Sequence, residues 1–161
     1  RLAALPDLEA ELRREAAAAA AAGADVTYED LKRLPRLRAA LEETLRLDPP
    51  VPVVSYKLNE SSYLLPSGYL LRRGWRAVIS PYLVHRTHPT WARRSPAAGG
   101  EPGSGPEDFD PQRLVERRQV FSYLAFSEGR RKCPGADVAL SFAMVLAAVW
   151  LRQGLRLRPA P

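Results

Sequence analysis

Residues 138–151, Val-Ala-Leu-Ser-Phe-Ala-Met-Val-Leu-Ala-Ala-Val-Trp-Leu, form the longest apolar run in the chain and carry a single polar side chain, Ser141. The run contains no proline, no glycine and no charge, and it is rich in good helix formers. At 3.6 residues per turn a helix over 138–150 is apolar nearly all round, so it must be covered by neighbours and is predicted to lie centrally in a globular core. It falls short of the ~20 apolar residues that a membrane-spanning helix needs, and no membrane crossing is expected from this chain.

Immediately before that run stands the only cysteine, in Phe126-Ser127-Glu128-Gly129-Arg130-Arg131-Lys132-Cys133-Pro134-Gly135. Arg130, Arg131 and Lys132 place positive charge beside the sulfur, and the helix opening after Pro134 directs free N–H groups back toward it; both favour a thiolate. Gly129 and Gly135 allow a sharp turn or a close approach to a flat ligand. A thiolate held against a planar surface is one reading of this segment. A small buried hydrophobe and a redox-active thiol at a helix N-terminus are the others.

The pattern Phe-x-x-Gly-x-Arg-x-Cys-x-Gly, met by Phe126, Gly129, Arg131, Cys133 and Gly135, resembles the haem-binding loop of cytochrome P450 monooxygenases. The resemblance implies haem b as cofactor, Cys133 as the axial ligand of its iron, Arg131 paired with a haem propionate and Phe126 packed by the sulfur. A second segment points the same way. Glu43-Thr44-Leu45-Arg46, within Leu-Glu-Glu-Thr-Leu-Arg-Leu-Asp-Pro-Pro-Val-Pro, is similar to the Glu-x-x-Arg helix of that family, and Phe109-Asp110-Pro111-Gln112-Arg113 is similar to its later Pro-x-Arg segment. The resemblance therefore implies a buried structural triad of Glu43, Arg46 and Arg113, two guanidinium groups sharing one carboxylate. By spacing alone, Glu43 and Arg46 would be an exposed helical pair contributing ~0.3–0.5 kcal/mol. His85-Arg86-Thr87-His88-Pro89 resembles the family's His-Arg-x-x-Pro stretch; as a metal pair it is weak and reads as polar surface. Near position 56 the family often carries an arginine directed at a propionate, where this chain has Tyr56 and Lys57.

The net charge of +6 rests on arginine, with three lysines only, at 32, 57 and 132. The arginines are scattered and do not interleave with aromatics, which argues against nucleic-acid binding. The basic cluster beside Cys133 suits an acidic docking face on an electron-donating reductase. One cysteine excludes an intramolecular disulfide framework, and no arrangement of Cys and His resembles a zinc site, so an intracellular, reducing setting is expected.

The remaining pattern gives a mainly α fold with a small antiparallel sheet. Pro6 opens a helix predicted to run through an alanine tract to Gly23, burying little. Thr27-Tyr28-Glu29-Asp30 reads as a capping box for a short helix, and Pro35 restarts a longer one to Leu47, closed by Pro49-Pro50 and striped by Leu34, Leu37, Leu41 and Leu45. Strands are predicted over 51–57, 63–65, 69–72 and 75–80, separated by turn residues. Residues 96–106, rich in Gly, Pro, Ala and Ser, form an expected flexible low-complexity loop.

Taken whole, the resemblance implies that 1–161 is a partial cytochrome P450 domain, the C-terminal part of the fold. The parent would insert one oxygen atom from O2 into a small organic substrate and could be anchored to an intracellular membrane. The distal helix and nearly all substrate-recognition segments find no match, so the fragment alone is expected to be inactive. A binding module without haem and a redox-thiol protein are the alternatives.

Overall fold

The computed structural model describes residues 5–21, 23–58, 60–91, 105–116 and 122–155. Helix α1 (Pro6–Ala19) begins with proline at its first position and carries Asp7 and Glu9 in the first turn, where acidic side chains favour the helix dipole. It ends at Ala19, four residues short of the expected Gly23 stop. Tertiary hydrogen bonds account for the early exit. Arg33 donates to the Ala19 carbonyl, and the Arg152 guanidinium takes the Ala21 and Ala24 carbonyls at 2.6 and 2.8 Å, so those groups find donors without a continued helix.

A 3₁₀ turn over Glu29–Arg33 follows, then α2 (Pro35–Leu47). Half of the expected capping box forms. The Asp30 carboxylate accepts from the Thr27 N–H at 2.9 Å and from the Thr27 hydroxyl at 2.6 Å, and these bonds lower its pKa. Pro35 leaves no room for an α-helix to develop from that start.

The predicted strands pair as two separate two-stranded antiparallel ladders. β1 (Val54–Lys57) pairs with β4 (Arg76–Ile79), Val54 opposite Ile79 and Lys57 opposite Arg76. Between them β2 (Tyr63–Leu64) and β3 (Leu70–Leu71) form a hairpin turned at Gly68, whose φ of 82° suits glycine. The first strand starts three residues later than the hydrophobic pattern predicts, because Pro50 and Pro52 have no N–H to give to a ladder.

Helix α3 (Pro81–Thr87) is capped by the Ser80 hydroxyl and leads into a 3₁₀ turn, Pro89–Trp91. Short helix α4 (Gln112–Glu116), a 3₁₀ turn at Gly129–Arg131 and helix α5 (Ala136–Arg152) complete the order. Of the loop expected over 96–106, residues 96–104 lie outside the described residues; Gly105 and Pro106 are held, since their carbonyls accept from Arg113 and Arg46.

The core lies where α1, α2 and α5 meet and consists of Leu12, Ala16, Ala19, Leu34, Leu37, Ala40, Leu140, Met144, Ala148 and Leu151, with Leu31 of the 3₁₀ turn. The alanines of α1 are therefore part of the core, their small side chains filling the seam against α5. Arg13 ties the same two helices by donating to the Leu151 carbonyl at 2.6 Å. Helix α5 departs from the expectation of all-round burial. Leu140, Met144, Ala148 and Leu151 face the core, whereas Val138, Phe142 and Leu146 on the opposite side are 73%, 65% and 55% exposed. Its partners α1, α2 and the first 3₁₀ turn all pack on one side, and no described residue covers the other.

Candidate functional site

The loop before α5 is shaped by its own backbone. The Cys133 N–H donates to the Phe126 carbonyl at 2.8 Å, closing an eight-residue loop on itself, and the Ala136 N–H donates to the Cys133 carbonyl as α5 begins. Inside the loop, Gly129 adopts φ 71° and opens the 3₁₀ turn that ends at Arg131. Ser127 also lies in the left-handed region, at φ 62°, which is uncommon for a residue with a Cβ. The Cys133 thiol is exposed. Gly135 stands at the N-cap of α5, where an added Cβ would sit 3.9 Å from the sulfur. Arg130, Arg131 and Lys132 are exposed beside it, and the Phe126 side chain is half-buried. The segment thus carries an exposed thiol and three exposed cations at the end of an uncovered apolar helix face.

A second cluster is buried between α2, α3 and the segment before α4. Glu43, Arg46 and Arg113 are 0%, 0% and 3% exposed. The Glu43 carboxylate accepts from Arg46 Nε at 2.7 Å and Nη2 at 2.9 Å, and from Arg113 Nε at 3.0 Å. The backbone N–H of Asp110 adds a further bond at 3.0 Å. Arg46 also donates to the His85, Pro106 and Asp108 carbonyls, and Arg113 to those of Trp91, Gly105, Asp108 and Asp110. Burial lowers the Arg113 pKa, and the neighbouring Glu43 opposes that shift. Two cations sharing one anion leave a net positive charge in the interior; the ring of carbonyl oxygens supplies negative partial charge to offset it. Helix α2 therefore has two buried faces. Leu37 and Ala40 serve the α1–α5 core, while Glu43 and Arg46 serve the second cluster.

Spacing alone misses His85. It reads as polar surface, but His85 is fully buried on α3. One ring nitrogen, Nδ1, lies 2.7 Å from the Arg46 carbonyl, and the other, Nε2, accepts from the Leu124 N–H at 2.7 Å. Both nitrogens are thereby occupied, which leaves nothing for a metal. The ring stacks on Tyr123 and meets Trp91 edge-on, each at 5.7 Å between centroids. Its burial follows from α3, which places His85 one turn after the buried Pro81 on the same face.

Tyr56 and Ser127 form a third link, also unseen in the sequence. Their hydroxyl oxygens are 2.6 Å apart and join β1 to the cysteine loop. A cleft of about 290 Å³ opens there, lined by Tyr56, Ser127, Arg130 and Arg131 against an apolar wall of Val54, Ile79, Pro81 and Leu124.

Residues 1–153 match the family model for cytochrome P450. Cytochrome P450 4A12B of Mus musculus is 32% identical over 152 residues, covering 93% of this chain and 27% of that protein. Cytochrome P450 4V2 of Rattus norvegicus is 35% identical over 132 residues, 80% of this chain and 22% of its own length. Ferruginol synthase of Salvia miltiorrhiza is 30% identical over 139 residues, 83% of this chain and 26% of its own. The chain spans about a quarter of the length of these curated relatives. With nearly its whole length matched to the family, and with the cysteine loop and the Glu43 cluster built from segments that resemble it, this chain belongs to the cytochrome P450 family.

Proposed function

We propose that this chain is the haem-binding part of a cytochrome P450 monooxygenase, with the Cys133 thiolate as the axial ligand of haem b iron. The observation that carries the reading is the exposed Cys133 thiol in a loop closed by its own N–H on Phe126, at the end of the uncovered apolar face of α5. That donor set suits the group: a soft anionic ligand, a neighbouring glycine that keeps the sulfur clear, and an apolar surface for a flat macrocycle.

When bound, a thiolate-ligated haem supplies the oxygen chemistry, in which one atom of O2 enters an organic substrate and the other leaves as water, using two electrons and two protons. The chain's own residues hold and orient. The Cys133 N–H bond to Phe126 and the turn at Gly129 fix where the sulfur points, and Phe126 shields it from one side. Arg131 offers positive charge to a haem carboxylate, and Gly135 leaves the approach to the sulfur open. Glu43, Arg46 and Arg113 act as a structural lock. Arg130, Arg131 and Lys132 form the basic face on which an electron-donating reductase docks. The chain alone is not expected to turn over a substrate, since it spans about a quarter of its relatives' length.

Haem titration of the purified chain beside Cys133→Ser, read by the Soret band of the ferrous CO complex, tests this. A thiolate-type band in the wild type that is lost in the variant is the expected result. Equal spectra from the two proteins, or no saturable uptake by either, would overturn the assignment.

A further inference from the structure

We infer that His85 is a positioning residue for Cys133, carrying the geometry of the buried Glu43–Arg46 cluster to the loop that holds the thiol. The inference rests on the reading of Cys133 as ligand. The Leu124 amide can only donate, so His85 Nε2 must offer a lone pair, and the ring proton belongs on Nδ1, where it donates to the Arg46 carbonyl. That carbonyl lies in the last turn of α2 and has no partner within its own helix. Arg46 returns the contact by donating to the His85 carbonyl at 2.6 Å. His85 and Arg46 are thus linked in both directions across 39 residues of chain.

The ring has little freedom to reorient. Tyr123 stacks on it, Trp91 closes its edge, and the Tyr123 hydroxyl donates to the Glu42 carbonyl on the same turn of α2. Leu124 then donates no bond to its own loop; its carbonyl accepts from Ser127 at 3.0 Å, which starts the turn that ends in Cys133. A shift of α2 at Arg46 would reach the loop through the imidazole. A ring of the same shape without nitrogens would leave the Leu124 N–H and the Arg46 carbonyl buried and unsatisfied.

The test compares His85→Gln, His85→Asn and His85→Phe with the wild type by amide hydrogen exchange over residues 122–133, followed by the ferrous CO spectrum after haem loading. A glutamine amide can take the place of Nε2 and accept from Leu124; an asparagine amide reaches only the Nδ1 side. The expected result is exchange roughly tenfold faster over 122–133 in the Asn and Phe variants, with protection restored by Gln and α1 unchanged. The thiolate-type fraction of the spectrum should follow the same order. Unchanged exchange over 122–133 in all three, equal loss throughout the chain, or failure of all three to fold would overturn the inference in favour of no role or a general core role. If the wild type shows no thiolate band, the haem assignment fails while the exchange data still decide whether His85 governs the loop.

Discussion

Glu43 binds two guanidinium groups and a backbone amide with one carboxylate, all shielded from water. Removing its charge leaves two cations facing each other in the interior, so Glu43→Gln should destabilise the fold by about 3–5 kcal/mol, the usual cost of breaking a buried pair from one side. Urea denaturation of the two proteins checks this, and a change under 1 kcal/mol would show that the carbonyl ring alone suffices. His85 gives a pH dependence of known sign. Burial first, then the charges of Arg46 and Arg86, lowers its pKa from 6.5 to about 4, against the raising effect of its bond to the Arg46 carbonyl. The unfolded chain therefore takes up a proton below pH 6.5 that the folded chain refuses until pH approaches 4. This contribution to stability is complete above pH 6.5 and declines as pH falls, by on the order of 2 kcal/mol between pH 6.5 and 5. Denaturation midpoints across that window, compared with His85→Gln, should show a slope in the wild type that the variant lacks. Tyr123 sits in the same environment, and burial pushes its phenol pKa up, so it remains a donor to the Glu42 carbonyl.

The cysteine loop depends on two left-handed positions, each held differently. At Gly129 a Cβ would meet no atom within 4 Å, so the cost of Gly129→Ala comes from φ 71° alone, about 1–2 kcal/mol. Calorimetry should register this as a fall of several degrees in Tm. Ser127 holds its unusual backbone while bonded to Tyr56. A double-mutant cycle of Tyr56→Phe and Ser127→Ala should give a coupling of about 0.5–1.5 kcal/mol; additive effects would mean that the bond contributes nothing to the loop. At this scale the sequence was most legible where a residue acts on its own backbone. Pro35 and Pro49-Pro50 bounded α2, and turn residues separated the strands where the hairpin bends at Gly68. It was least legible where distant side chains decided the outcome, as when Arg33 and Arg152 ended α1 before Gly23.

Across the whole molecule, α5 presents two faces of different fate. Its inner face closes the core with α1 and α2, and its outer face continues from Cys133 as exposed Val138, Phe142 and Leu146. An apolar stripe of this kind favours self-association of the chain. Sedimentation velocity should show association that falls in Phe142→Lys with Leu146→Glu, while circular dichroism stays unchanged; equal association would place the contact elsewhere. The run 138–151 by itself determined a long helix, because composition and the lack of breakers act through the local backbone. The spacing of Phe126, Gly129, Arg131, Cys133 and Gly135 likewise carried the family resemblance. Which face of α5 is covered, whether Glu43 and Arg46 are a surface pair or a buried one, and whether His85 is solvated or locked were decided only by the tertiary structure. Helical periodicity states which residues share a face but not what lies against it. Arg113 reaches Glu43 across 70 residues and Leu124 reaches His85 across 39, contacts that exist only once the chain has folded back on itself.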